Sequence, residues 1–116
     1  MSEIVTIYHN PRCSKSRQTL QLVEEQGITP EIKLYLTDTP TSDELKAVLK
    51  KLGFSANELL RTKEQEYKDL ELKNVTNEDT IIEAMIKHPK LIERPIVIKA
   101  DQARIGRPPE QVLEIL

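Results

Sequence analysis

The chain has one cysteine among its 116 residues. A single thiol cannot close an intrachain disulfide or build a cysteine-based zinc site, so a disulfide-stapled scaffold and a zinc ribbon are both excluded. A reducing cytoplasm is the simplest expected home. Long apolar runs are also missing, and none approaches the roughly 20 residues that a membrane helix needs. The N-terminal Met1-Ser2-Glu3 is acidic and has no signal-peptide h-region, so no secretory leader is expected. Nor is there an excess of positive charge: 17 basic and 19 acidic residues leave a net charge of −2. Nothing in the overall charge therefore points to nucleic acid or to an anionic membrane as a partner. Internal repeats, low-complexity tracts and linker-like segments are absent too. One domain over residues 1–116 is expected, long enough to bury a core without staples.

What is present is organised around the lone thiol, in the stretch Tyr8-His9-Asn10-Pro11-Arg12-Cys13-Ser14-Lys15-Ser16-Arg17. An apolar strand-like run, Ile4 to Tyr8, leads into it. A helical pattern leaves it, with Leu20 and Val23 three apart and Gly27 as the stop. A thiol at a strand-to-helix turn lies where the first backbone N–H groups of a helix point outward unpaired. Those groups and the helix dipole favour an anion. Cys13 is therefore expected to ionise more readily than a free thiol and to act as a thiolate nucleophile. The competing reading is a small buried hydrophobe with no chemistry. The neighbours Arg12, Ser14, Lys15, Ser16 and Arg17 argue against it, because they do not make a core-strand environment and their cations favour a thiolate.

Taken in order, residues 3–8 read as a strand with apolar groups on both faces, hence central, and residues 14–26 as the helix after the cysteine. Glu31 to Leu36 alternates strictly, with Ile32, Leu34 and Leu36 on one face, and predicts a half-exposed edge strand. Strand, helix and strand in about thirty residues make a right-handed parallel βαβ unit. Thr41 and Glu44 form a capping-box pattern opening a helix with Leu45, Val48, Leu49 and Leu52 at offsets of three and four, ended by Gly53. Ser55 and Glu58 repeat the box before a short helical piece carrying Leu59, Leu60 and Arg61. Residues 64–72 are polar and helical or irregular. Thr76 or Asn77 caps a further helix with Ile81, Ile82, Met85 and Ile86 facing inward, bounded by Pro89. Arg94 to Lys99 reads as a third strand, Asp101-Gln102 as a turn and Ala103–Gly106 as a fourth strand, together a hairpin. Pro108 or Pro109 starts a last helix with Val112, Leu113 and Leu116 apolar. The predicted class is α/β: βαβ, then a helical insert, then ββα around a mixed four-stranded sheet, a thioredoxin-like layout with the cysteine on the first βα turn.

Most basic residues should be solvated surface. Three arginines stand out by position: Arg94 before Pro95 at a strand entrance, Arg107 at a strand-to-helix turn before Pro108-Pro109, and Arg61 after Leu59-Leu60. In a thioredoxin-like sheet the strand near Pro95 lies beside the cysteine turn, so Arg94 is expected to point at Cys13. An arginine fork suits a tetrahedral oxyanion; surface salt bridging is the alternative. His9 could hydrogen-bond the thiolate or move a proton, or it could simply order the turn. Ser16 makes a Cys-x-x-Ser pattern and could donate its hydroxyl to the sulfur; it could equally be an ordinary first-turn serine.

Three motifs in order, His9-x-x-x-Cys13-x-x-x-Arg17, Glu93-Arg94-Pro95-Ile96-Val97 and Arg104-x-Gly106-Arg107-Pro108, resemble the ArsC family of glutaredoxin-linked arsenate reductases. The likeness runs from Ile4 to Leu116 and is nearest a YfgD-like branch. It implies a thioredoxin-like fold with an added helical segment. It implies that Cys13 attacks arsenate to give a thioarsenate ester, that glutathione attacks next as co-substrate, and that glutaredoxin resolves the adduct and releases arsenite, with no bound cofactor and no metal. By the resemblance Arg61, Arg94 and Arg107 bind the oxyanion, His9 activates the cysteine, Ser16 and Arg17 support the same loop, and Pro95 is the cis-proline beside the cysteine. A single thiol cannot close its own disulfide, so an external thiol is required in any case. Three other readings compete. An Spx-like regulator that binds RNA polymerase uses Cys-x-x-Cys, and here the second position is Ser16. A monothiol glutaredoxin-like thiol-transfer protein is suggested by Cys13-x-x-Ser16. A phosphatase-like arsenate reductase needs Cys-x5-Arg, but Thr19 stands at that place.

Overall fold

The computed structural model describes residues 4–116. Met1, Ser2 and Glu3, on which the expected absence of a leader and the first residue of the predicted strand rest, lie outside the described residues. No helix among those described is long and apolar enough to cross a membrane.

The described residues form two compact units, residues 4–38 with 94–116, and residues 39–93. The first holds a four-stranded sheet in the order β2-β1-β3-β4. Strand β1 (Val5–Tyr8) is central, as the apolar residues on both of its faces predict. Its Val5, Ile7 and Tyr8 are all buried. β1 runs parallel to β2 (Glu31–Lys33) and antiparallel to β3 (Ile96–Lys99). β3 pairs antiparallel with β4 (Gln102–Ile105), in a register that sets Ile96 opposite Ile105. The sheet is thus mixed and four-stranded, and the fold is thioredoxin-like. Helix α1 (Ser14–Glu25) and a final 3₁₀ stretch (Pro109–Ile115) pack on one another and bury Val23, Val112 and Ile115 against Val5, Ile7 and Val97. At roughly 1.5–3 kcal/mol per fully buried side chain of this kind, that cluster is a main source of stability for the unit.

Four details of this unit differ from the sequence reading. The edge strand ends at Lys33, not Leu36, because Leu34 enters a turn: Tyr35 N–H donates to Lys33 O, and Thr37 and Asp38 N–H both donate to Leu34 O. The apolar alternation does not mark the buried face. Ile32, Leu34 and Leu36 are 50%, 43% and 37% exposed, while Tyr35 is wholly buried and stacks on Tyr8 at 6.3 Å between ring centres. A ring has more area to bury than an aliphatic side chain, so the aromatic decides which way the turn faces. The hairpin turn falls on Ala100-Asp101, one residue earlier than expected, with Ala100 at φ 53°. The last element is 3₁₀ rather than α, and it buries Val112 and Ile115 while Leu113 is 40% exposed.

The second unit is the helical insert: α2 (Ser42–Leu52), α3 (Ala56–Leu59), α4 (Gln65–Asp69) and α5 (Glu78–Lys87), with single 3₁₀ turns at Leu72–Asn74 and Pro89–Leu91. Its boundaries follow the predicted caps. Thr41 Oγ1 accepts from Glu44 N–H at 3.2 Å while the Glu44 carboxylate accepts from Thr41 N–H at 3.1 Å, and Gly53 closes the helix at φ 74°. Glu58 accepts from Ser55 N–H and Asn77 from Thr80 N–H in the same manner. Ile81, Ile82 and Met85 of α5 are buried; Ile86, expected with them, is half-buried. Arg61 lies past the end of α3 rather than on a helix. The chain leaves the first unit after Asp38 and re-enters it at Arg94.

Candidate active site

The central strand determines where the thiol emerges. His9 N–H donates to Lys33 O at 2.9 Å, which carries the β1–β2 pairing one residue beyond Tyr8. The chain then turns tightly. Asn10 holds the turn through both of its oxygens: its side-chain oxygen accepts from Arg12 N–H and its carbonyl from Cys13 N–H, each at 3.0 Å. Arg17 Nη1 donates back to Pro11 O at 2.9 Å and ties the loop to the helix that follows.

Cys13 occupies the N-cap position of α1 in an extended conformation, φ −93° and ψ 123°. A cap residue is ordinarily Ser, Thr, Asp or Asn, whose oxygen satisfies an orphan N–H. Here the side chain makes no cap hydrogen bond of ordinary geometry, and the first turn has no acidic residue. The positive end of the helix thus acts on a sulfur. Burial pushes the half-buried thiol up. The Ser16 N–H, the hydrogen bond and charge of the Arg94 guanidinium, and the Lys15 N–H together outweigh it, and the pKa ends below its ordinary value. Lowering by helix N–H groups and a cation is what makes a cysteine nucleophilic near neutral pH.

The hairpin delivers the cations. Continuing the β3–β4 register past Ile96 and Ile105 sets Pro95 against Gly106 and Arg94 against Arg107. Gly106 N–H donates to Pro95 O at 2.9 Å, and Arg107 Nε donates to Arg94 O at 2.7 Å. The Arg94–Pro95 and Arg107–Pro108 bonds are both cis. Arg107 Nη2 stands 3.6 Å from Cys13 Sγ. Two guanidinium groups beside one thiolate leave net positive charge at the sulfur, an arrangement matched to a tetrahedral oxyanion.

His9 and Ser16 work on the loop. Both are buried, with His9 Nδ1 and Ser16 Oγ 2.7 Å apart, and the same oxygen accepts from Asn10 N–H at 3.0 Å. The Ser16 hydroxyl is thus engaged with His9 and Asn10, and it is the Ser16 backbone N–H that acts on the sulfur. Desolvation, and then the charge of Arg17, lower the His9 pKa and hold the imidazole neutral. Arg61 belongs to the helical unit, where Nη1 meets Glu93 at 2.7 Å and Nε meets Glu64 at 3.4 Å. Its guanidinium therefore already carries two carboxylates. Sequence reasoning missed three contributors. Asn10 was marked by Asn-Pro, a turn signal. Gly106 stands in the Arg104-x-Gly106-Arg107-Pro108 motif but carried no role there, and buried Thr19 had no local signal, because the importance of both lies in what they touch. Among the described residues no three of His, Cys, Asp and Glu gather as a metal site.

The thioredoxin-like sheet thus sets one cysteine at a helix N-terminus beside paired arginines in an α/β protein. The chain belongs to the ArsC family, whose model matches residues 8–115. It is 54% identical to YfgD of Escherichia coli, covering 100% of this chain and 99% of that one. It is 52% identical to an arsenate reductase of Haemophilus influenzae over 97% of this chain and 98% of the relative. The solved arsenate reductase of Vibrio cholerae superposes with a TM-score of 0.96 at 52% identity, over 100% of both chains.

Proposed function

We propose that this protein is an arsenate reductase in which Cys13 is the nucleophile and glutathione and glutaredoxin supply the reductant. The observation that carries the reading is the placement of Cys13 Sγ at the N-terminus of α1, 3.6 Å from Arg107 Nη2 and stabilised as a thiolate by Arg94. The high identity to proteins named arsenate reductase supports the choice of oxyanion.

In the proposed chemistry the Cys13 thiolate attacks arsenic(V). An arsenic–oxygen bond breaks, the oxygen leaves as water after protonation, and a sulfur–arsenic bond forms. Arg94 and Arg107 neutralise the oxyanion as the thiolate approaches, which is where preorganised donors lower the barrier most. His9 and Ser16 hold the loop so that the Ser16 and Lys15 N–H groups face the sulfur. Glutathione then displaces a second arsenic-bound oxygen as water, a glutaredoxin thiol takes the glutathione sulfur as a mixed disulfide and leaves the sulfur–arsenic electron pair on arsenic, and hydroxide attacks the reduced arsenic to release Cys13 as thiolate. In sum two thiols become one disulfide, arsenic gains two electrons, and arsenite leaves. Cys13 cannot be both thiols, since no second cysteine exists in the chain. Arg61 enters this scheme on the resemblance alone, and it would have to exchange Glu64 or Glu93 for the substrate.

The test is NADPH-coupled arsenate reduction with glutathione, glutathione reductase and glutaredoxin, run on the wild type and on Cys13→Ser. Turnover in the wild type that is lost in the variant is the expected result. No wild-type turnover, with a low thiol pKa still found by alkylation, would keep the reactive cysteine and remove arsenate. The thiol-transfer and regulator readings would then move ahead.

A further inference from the structure

Gly106 has no conformational reason to be glycine. Positive φ occurs at Gly27 and Gly53, not at Gly106. The reason is steric. A Cβ on Gly106 would stand 2.8 Å from Pro95 Cγ and 3.0 Å from Thr19 Cγ2, with Thr19 Oγ1 closer still, whereas a Cβ on Gly27 or Gly53 would meet nothing. The backbone at Gly106 therefore lies directly on a side chain of α1.

Thr19 cannot easily give way. It is wholly buried, and its hydroxyl donates to Lys15 O at 2.8 Å. Rotating the side chain would break that bond and leave a buried hydroxyl unpaired. Lys15, at the other end of the bond, sits in the first turn of α1, whose N–H acts on Cys13. On the hairpin side, Gly106 N–H is bonded to Pro95 O and Arg107 Nε to Arg94 O. One contact thus joins the two halves of the site: behind Thr19 is the helix end that carries the thiol, and behind Gly106 and Pro95 are the two arginines.

We propose that Gly106 and Thr19 are a positioning pair, in which the missing side chain of Gly106 against the back-bonded Thr19 sets the distance between the Arg94–Arg107 end of the hairpin and Cys13. Neither residue touches the reacting atoms. The inference rests on the reading of Cys13 as an anion-facing nucleophile, but it does not require that the anion be arsenate.

The pair is tested by a mutant cycle read with iodoacetamide alkylation of Cys13 against pH, and with protection of Cys13 by inorganic phosphate. Gly106→Ala pushes the hairpin end off α1. Its alkylation midpoint is expected to rise, and the phosphate needed for half-protection to increase by about tenfold, the scale of one weakened charge-assisted contact. Thr19→Ala alone removes the Oγ1 and Cγ2 atoms that Gly106 rests on but adds nothing that pushes the hairpin away, so either readout should move less than in Gly106→Ala. In the double variant the room taken by Thr19 Oγ1 and Cγ2 returns while Pro95 Cγ still stands 2.8 Å from the new methyl, so both readouts move part of the way back toward wild type. Rescue of one lesion by a second that also deletes a buried group is not what general destabilisation produces. If Gly106→Ala does not fold, Thr19→Ile presses on a native hairpin end from the helix side and must give the same shifts. Unchanged midpoint and protection in whichever variant folds, or a double variant worse than Gly106→Ala, overturns the proposal. Failure of arsenate turnover with the cycle intact would overturn the substrate and leave the pair standing.

Discussion

Helices α1 and α2 begin in opposite ways. At α2 the chain closes its own N-terminus: Thr41 and Glu44 exchange hydrogen bonds, and Asp43 and Glu44 set negative charge on the positive end of the dipole. At α1 the cap is Cys13, the side chain makes no ordinary cap bond, and no acid stands in the first turn. Arginines rather than carboxylates approach this end. A capping box is worth about 0.5–2 kcal/mol to a fold. α1 forgoes that stabilisation, and its orphan N–H groups are left to hold a thiolate instead. Under the proposed function, the contrast separates a helix end closed for stability from one left open for chemistry, within one chain.

The largest expected effect breaks the chemical end. Cys13→Ser should reduce arsenate turnover by about a thousandfold or more, as loss of a nucleophile does, while the circular dichroism spectrum and melting temperature stay near wild type. Residual turnover within about tenfold would sink the assignment, since a hydroxyl has no comparable nucleophilicity at neutral pH.

Next come the cations. Arg94→Ala and Arg107→Ala should each lower kcat/KM for arsenate by roughly ten- to a hundredfold, the range of a charge-assisted hydrogen bond, and weaken competition by phosphate. Arg94→Ala should also raise the pH at which Cys13 becomes reactive, because its guanidinium favours the thiolate. Unchanged kinetics with either variant would remove that arginine from the site.

Thr41→Ala sharpens the comparison from the other side. It should cost about 1 kcal/mol in a urea titration and leave Cys13 alkylation and turnover alone. A shift in thiol reactivity would show that the two helix ends are not independent.

The smallest expected effect is the pH dependence of stability at His9. Its folded pKa lies below its ordinary value, so the unfolded chain takes up a proton first as the pH falls. Its contribution is present above the unfolded pKa, declines as the pH drops below it, and is fully lost once the folded pKa is passed. His9→Asn should flatten that part of the curve, measured by urea denaturation at a series of pH values. Cys13 has the same sign in a more alkaline window. Its lowered pKa makes the fold gain stability as the pH rises from the folded to the unfolded thiol pKa, a gain that Cys13→Ser should abolish.

Much of this was legible in the residues. The capping boxes at Thr41 and Ser55 and the stops at Gly27 and Gly53 are local devices that the structure places where the sequence did, and of the two caps offered, Thr76 or Asn77, it takes Asn77. The central strand was legible because both of its faces are apolar. The strand from Glu31 does lie at the sheet edge as expected, but its end and its inward face were misread because Ile32, Leu34 and Leu36 alternate as a buried face does. Tyr35, between them, took the interior place instead by stacking on Tyr8.

By itself the sequence determined that one thiol would stand at a strand-to-helix turn among cations, and that an external thiol must complete any reduction. Those are consequences of order along the chain and of there being a single cysteine. Only the tertiary structure decided which groups act on the sulfur. The Arg94–Arg107 pairing is a matter of hairpin register, the diversion of the Ser16 hydroxyl to His9 is a matter of loop shape, and the Gly106–Thr19 approach joins residues 87 positions apart (106 less 19). Contacts between distant positions leave no periodicity to read, because nothing in the local chemistry of either residue requires the other.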